Sequence, residues 1–149
     1  MSIDAKLAEA EPNPFWFTTV SKTAPCAPAI HDMTCDLAIV GGGFTGLWSA
    51  LKASEHHPDA TIVVLEGKRC GQDASGRSGG FCAPSISHGV SNALTRHSSE
   101  AETLIRLGQE NFDGYAKDID RYEMQAEFAQ DGKLNVAATP WQIDDLHSM

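Results

Sequence analysis

The run Asp36-Leu37-Ala38-Ile39-Val40, followed at once by Gly41-Gly42-Gly43-Phe44-Thr45-Gly46, restricts the folding options of this chain more than any other feature. A short apolar stretch ending at glycines reads as a strand buried on both faces. After the glycines, Leu47, Ala50, Leu51 and Ser54 recur at helical spacing. His56-His57-Pro58-Asp59 closes that helix, because the residue before a proline avoids the helical region. Thr61-Ile62-Val63-Val64-Leu65 is rich in β-branched residues and predicts a second buried strand. Strand, helix and strand in this order make a βαβ unit, with a right-handed crossover expected.

The spacing Gly-x-Gly-x-x-Gly at Gly41, Gly43 and Gly46 is weak evidence by itself. Its setting is stronger: a strand precedes it, a helix follows, and Glu66 stands at the end of the second strand. Each glycine has its own reason. Gly41 permits the tight turn out of the strand, Gly43 lets a pyrophosphate approach the backbone, and Gly46 lets the helix pack closely on the strand. Amides at the helix start, near Phe44 and Thr45, would point at phosphates, and the helix dipole favours negative charge there. Glu66 is suited to accept hydrogen bonds from both ribose hydroxyls and would repel a 2′-phosphate, which disfavours NADP. The motif implies a dinucleotide and leaves NAD and FAD both open. A purely structural glycine turn is the bland alternative.

A second glycine cluster, Ala74-Ser75-Gly76-Arg77-Ser78-Gly79-Gly80, follows the second strand. Its amides and Arg77 are placed to serve a pyrophosphate or the edge of a flavin ring, whereas a nicotinamide enzyme needs no such element here. A surface loop is the alternative. Together, Asp36-Leu-Ala-Ile-Val-Gly-Gly-Gly-Phe-Thr-Gly-Leu-Trp-Ser-Ala, Val64-Leu-Glu and this cluster resemble the start of the FAD-dependent D-amino-acid oxidase/glycine oxidase (DAO) family, in the branch that includes gamma-glutamylputrescine oxidases. The likeness covers roughly residues 14–142, including the Asn-Pro-Phe-Trp arm and Asp131-Gly-Lys-Leu-Asn-Val-Ala. Relatives often have Asn where this chain has Ser78, a shorter donor.

The resemblance implies that Gly41, Gly43, Phe44, Thr45 and Gly46 cradle the FAD diphosphate and that Glu66 holds the adenosine ribose. It places Lys68 and Arg69 near the adenine, Ser75 and Arg77 on the diphosphate, and Ser78, Gly79 and Gly80 towards the flavin. Some relatives attach flavin through a histidine in the second cluster. Residues 67–80 contain none, so non-covalent FAD is expected. The implied activity is oxidation of the C–N bond of an amine or amino acid by hydride transfer to flavin. An NAD-binding dehydrogenase domain and a non-catalytic interaction module with a nucleotide fold are the competing classes.

The rest of the chain is read around this core. Residues 1–34 form an arm broken by Pro12, Pro14, Pro25 and Pro28, whose Phe15-Trp16-Phe17 cluster is expected to pack onto the domain that follows. Residues 67–92 read as a long functional loop. A helix is expected from Ser99, capped through Glu102, with an apolar stripe over Ala101, Leu104, Ile105, Gly108, Phe112, Tyr115, Ile119 and Tyr122. Gly108 or Gly114 would mark a break in it. Residues 133–138 alternate as a half-buried strand should, and Thr139-Pro140 opens a further helix. The expected fold is thus α/β: an incomplete Rossmann-like FAD/NAD(P)-binding βαβ core over 35–97, and the beginning of a second, α+β substrate domain over 98–149. The chain is expected to be the N-terminal part of a longer enzyme and inactive alone.

Composition removes other classes. The chain is 42% hydrophobic and 21% charged, ordinary for a globular protein. Its net charge of −9, concentrated in 98–131, argues against nucleic acid as the main partner and fits a solvated helix face. No apolar run approaches a membrane span. Cys26, Cys35, Cys70 and Cys82 lack zinc-ligand spacing and read as free thiols in a reducing, cytoplasmic compartment. His31, His56, His57, His88, His97 and His147 read as surface or loop residues, and Ser85 and Ser87 lack a nucleophile-elbow setting. The expected partner is a small amine or amino acid.

Overall fold

A computed structural model describes residues 7–10, 13–21, 24–86 and 88–147. Pro12, Ser87 and the last two residues lie outside them. The chain divides into two compact units, Met1–Phe81 and Cys82–Met149.

In the first unit the two β-branched segments pair as parallel strands. Strand β1, Leu37–Val40, runs beside β2, Ile62–Leu65, in a register from Leu37 opposite Ile62 to Val40 opposite Leu65. Asp36 sets the start of that register: its Oδ2 accepts the Thr61 amide at 2.8 Å, and its own amide donates to the Thr61 carbonyl at 3.0 Å. Helix α1, Trp16–Thr19, lies in the arm, and helix α2, Phe44–His56, connects the strands and packs on both. A single 3-10 turn spans Ala74–Arg77.

The expected burial of both strands is not met. Three of the four β1 residues are exposed, Val40 at 86%, and β2 is only half-buried. A parallel strand is covered when helices lie on both faces and strands on both sides. Here α2 supplies cover, and among the described residues no third strand flanks the pair. The result is a mixed α/β unit with a small parallel sheet.

The second unit is helical: α3, Val90–Arg96; α4, Ala101–Arg121; and α5, Ile143–His147, entered through a 3-10 turn at Pro140–Gln142. Its most buried residues are Ala93, Ala101, Gly108 and Ile119, so the anticipated stripe of α4 faces inward except at Ile105, which is exposed. Phe128 closes on it, 5.9 Å from the Phe112 ring and 5.5 Å from that of Tyr115. Neither Gly108 nor Gly114 breaks α4. Gly108 is there for space: a Cβ would lie 2.9 Å from the Pro84 carbonyl oxygen.

Three further expectations are corrected. Helix α4 starts two residues after Ser99, which gives no cap, because a turn closed by the Glu100 amide on the His97 carbonyl, 2.9 Å, occupies 97–100. Residues 133–138 form no strand; Leu134 is 86% and Val136 68% exposed. The one ladder among the described residues is β1–β2, and an extended segment outside a ladder is not held as a strand. Helix α3 falls at the end of the stretch read as a loop. At Thr139 the expected helix start is present, with Gln142 Oε1 accepting the amides of Ala138 and Thr139 at 2.9 and 3.1 Å. No helix among the described residues is long and apolar enough to cross a membrane.

Candidate functional site

The site grows from the turn after β1. Gly41 has φ +105°, a left-handed conformation that a side chain would strain. Its amide donates to the Leu65 carbonyl at 2.8 Å, carrying the strand pairing one step beyond the ladder. Gly46, one turn into α2, explains the close fit of helix on strand: a Cβ there would fall on the Gly41 carbonyl oxygen and lie 3.4 Å from Ile39 Cγ2.

Gly42, to which the sequence assigned no role, is the enclosed member of the motif. It is buried, and a Cβ would sit 2.7 Å from Cys70 Sγ and 3.3 Å from Glu66 Cβ. Its amide donates to Glu66 Oε2 at 2.8 Å, and its carbonyl accepts the Gly71 amide at 2.8 Å. The signal was a glycine at the middle position of Gly41-Gly42-Gly43, which the Gly-x-Gly spacing does not require.

Glu66 therefore does structural work at the mouth of the strands. Besides Gly42, it accepts the Lys68 amide on Oε1 at 2.9 Å. These two amides, Gly42 first, hold its carboxyl below the usual carboxylate range, so it is ionised at neutral pH. An ionised carboxylate offers about four acceptor positions, more than these amides occupy, which leaves room for a hydroxyl donor.

The second glycine cluster reaches the same turn. Gly43, the residue before α2, has extended backbone and no capping side chain of its own. Ser75 substitutes: its Oγ accepts the Phe44 amide at 2.9 Å. A Cβ at Gly43 would lie 2.8 Å from that oxygen, so glycine at 43 is what lets Ser75 in. The Phe44 amide is thus already engaged. The Ser75 hydroxyl, having accepted, keeps its own proton to donate.

Of the residues singled out from sequence, Gly41, Gly43, Phe44, Glu66 and Ser75 are brought together with Gly42. Thr45 is exposed at the first turn of α2. Lys68 pairs with Asp73 at 3.0 Å, both well exposed, while Arg69 and Arg77 are exposed on the segment after β2. Ser78 and Gly80 lie against the arm: the Ser78 carbonyl accepts Trp16 Nε1–H at 2.8 Å. Gly79 faces the Phe81 ring. Among the described residues no group of three or more His, Cys, Asp or Glu is placed to hold a metal ion.

This arrangement fits a dinucleotide. A left-handed glycine, a side-chain-free backbone over 41–43, a helix start and an ionised carboxylate meet at the ends of two parallel strands.

Comparison with known proteins agrees. Residues 36–149 match the family model described as FAD dependent oxidoreductase (DAO). The chain is 35% identical over 135 residues to a gamma-glutamylputrescine oxidoreductase of Escherichia coli (strain K12), covering 89% of this chain and 30% of that protein. It is 28% identical over 136 residues to a probable oxidoreductase OrdL of Haemophilus influenzae, covering 91% of this chain and 31% of that protein. The chain thus spans about a third or less of the curated relatives it matches. No solved structure matches it significantly. Glycine turn, carboxylate and family match converge: the chain belongs to the DAO family of FAD-dependent oxidoreductases, and its cofactor is FAD.

Proposed function

We propose that this chain supplies the FAD-holding part of a cytoplasmic enzyme that oxidises the C–N bond of a small amine or amino acid. The observation that carries the cofactor role is the junction of the two glycine clusters at one helix start, Glu66 on the Gly42 amide and Ser75 on the Phe44 amide. The amine as substrate class is supported by the gamma-glutamylputrescine oxidoreductase likeness. The cytoplasmic assignment is supported by four free cysteines.

In this proposal Gly41, Gly43, Thr45 and Gly46 receive the diphosphate, and Phe44 acts through Ser75: its amide holds the Ser75 Oγ, whose hydroxyl proton is donated to the diphosphate. Arg77 adds positive charge beside it. Glu66 accepts the ribose hydroxyls on its remaining acceptor positions. Lys68 and Arg69 lie by the adenine, and Ser78, Gly79 and Gly80 approach the flavin. FAD is held without a covalent bond. Residues 35–97 act as the FAD-binding segment, and 98–149 begin an α+β substrate domain. When bound, FAD supplies the acceptor for the hydride leaving the amine-bearing carbon. The nitrogen loses its proton, and water hydrolyses the resulting imine.

The test uses the enzyme that carries this chain. Acid precipitation should release all flavin into the supernatant. Anaerobic addition of gamma-glutamylated or simple amines, or of amino acids, should bleach the visible flavin absorbance. Flavin retained in the pellet refutes non-covalent binding. Absorbance unchanged by every amine and amino acid tried refutes the C–N assignment.

A further inference from the structure

We propose that helix α1 is a clamp on the second glycine cluster, and that Trp16 is a positioning residue for FAD. The proposal rests on the reading that residues 74–80 face the cofactor.

Two glycines of that cluster, Gly76 and Gly80, meet rings of the arm. A Cβ on Gly76 would fall on the Gly71 carbonyl oxygen and lie 2.6 Å from Phe17 Cζ, and one on Gly80 would lie 2.9 Å from Trp16 Cζ2. Two rings from one short helix therefore rest on bare backbone at two points of the same loop. Between those points, Trp16 Nε1–H donates to the Ser78 carbonyl at 2.8 Å, across 62 residues of sequence. Gly80 has φ +81°, and its amide donates to Ser78 Oγ at 3.3 Å, so the loop is bent where Trp16 grips it.

The clamp is itself braced. Phe15 sets its ring edge-on to Trp16 at 5.3 Å, and the hydroxyls of Thr18 and Thr19 donate to the carbonyls of Phe15 and Trp16 at 2.7 and 3.0 Å. A four-residue helix has no stability alone, because nucleation is unfavourable. Docking on the loop holds it, and it holds the loop in return. The other end of the loop is tied by Ser75 to the start of α2. A segment fixed at both ends loses less freedom when a ligand arrives, which strengthens binding without any direct contact.

The test compares the wild-type enzyme that carries this chain with its Trp16→Phe variant, which removes the donor and keeps a ring, and its Trp16→Ala variant, which removes both. One readout is FAD affinity by flavin fluorescence titration. The other is the rate of tryptic cleavage after Arg77 without FAD, with cleavage after Lys52 in α2 as the reference for unfolding of the same unit. A net hydrogen bond corresponds to about a 2- to 10-fold change in an equilibrium constant. Trp16→Phe should weaken FAD binding and speed Arg77 cleavage by about that factor, and Trp16→Ala by roughly tenfold or more, with Lys52 cleavage unchanged. If Trp16→Ala also speeds Lys52 cleavage, Trp16→Phe decides. Arg77 cleavage at the wild-type rate in Trp16→Phe and Trp16→Ala overturns the clamp. Faster cleavage with unaltered FAD affinity overturns its role in positioning FAD. If the wild-type enzyme takes up no FAD, the cofactor reading falls, and faster Arg77 cleavage still establishes the clamp.

Discussion

Gly46→Ala adds one methyl group at the tightest point of the βαβ unit, and two opposing effects set the outcome. In a helix interior, alanine is favoured over glycine by about 1 kcal/mol. At this position the new Cβ would fall on the Gly41 carbonyl oxygen, 3.1 Å from its carbon and 3.4 Å from Ile39 Cγ2. The obstructing atoms are mostly backbone and cannot rotate away, so α2 must move off β1. Overpacking costs typically 1–3 kcal/mol, and a backbone obstruction belongs at about the upper end. The net loss is then about 2 kcal/mol, which lowers Tm by roughly 8–16 °C for a unit of this size. Thermal unfolding followed by circular dichroism reads it. Gly114→Ala in α4 is the companion, because nothing lies within 4 Å of its Cβ position. That variant should gain about 0.5–1 kcal/mol and melt higher. A Gly46→Ala protein that melts at or above the wild-type temperature would refute the close-packing argument.

Two other perturbations probe the site. Glu66 has a folded pKa below its ordinary 4.5, so its contribution to stability is complete above that value and disappears as pH falls through the folded value. Glu66→Gln should therefore show a urea midpoint below wild type at neutral pH, with the gap closing under acid; a gap that widens below pH 4.5 contradicts the two amide bonds. Ser75→Ala deprives the Phe44 amide of its acceptor, and hydrogen exchange at that amide should quicken by up to about tenfold. An unaltered exchange rate would mean that Ser75 does not cap α2.

The parts of the fold carried by local chemistry were legible in the sequence. Both strands lie within one residue of the expected spans, since β-branched runs bounded by glycine or proline signals have few alternatives. Helix α2 ends at His56, as Pro58 requires. Gly41 and Gly46 have the conformations and contacts their spacing implied. What depended on distant partners was not legible. The exposure of β1 follows from which elements cover it, and no feature of Leu37–Val40 reports that. Residues 133–138 have strand periodicity but no ladder to join. Helix α3 buries only Ala93, too little for a periodic stripe to stand out among the glycines and serines around it. Helix α1 was hidden by the neighbouring prolines, and its hold on Ser78 joins residues 62 apart. In the site, the carboxylate at the end of β2 was readable, but its bond to Gly42 was not, because the spacing rule gives that glycine no task.

The two-stranded ladder also governs how such a chain behaves in the test tube. Among the described residues Leu37–Val40 and Ile62–Leu65 each pair along one side only, so their outer flanks offer spare amide and carbonyl groups to any extended peptide, with Val40 nearly bare beside them. That is an adhesive strip. Self-association should accordingly rise with protein concentration, and a lysine substituted at Val40 should suppress the stickiness.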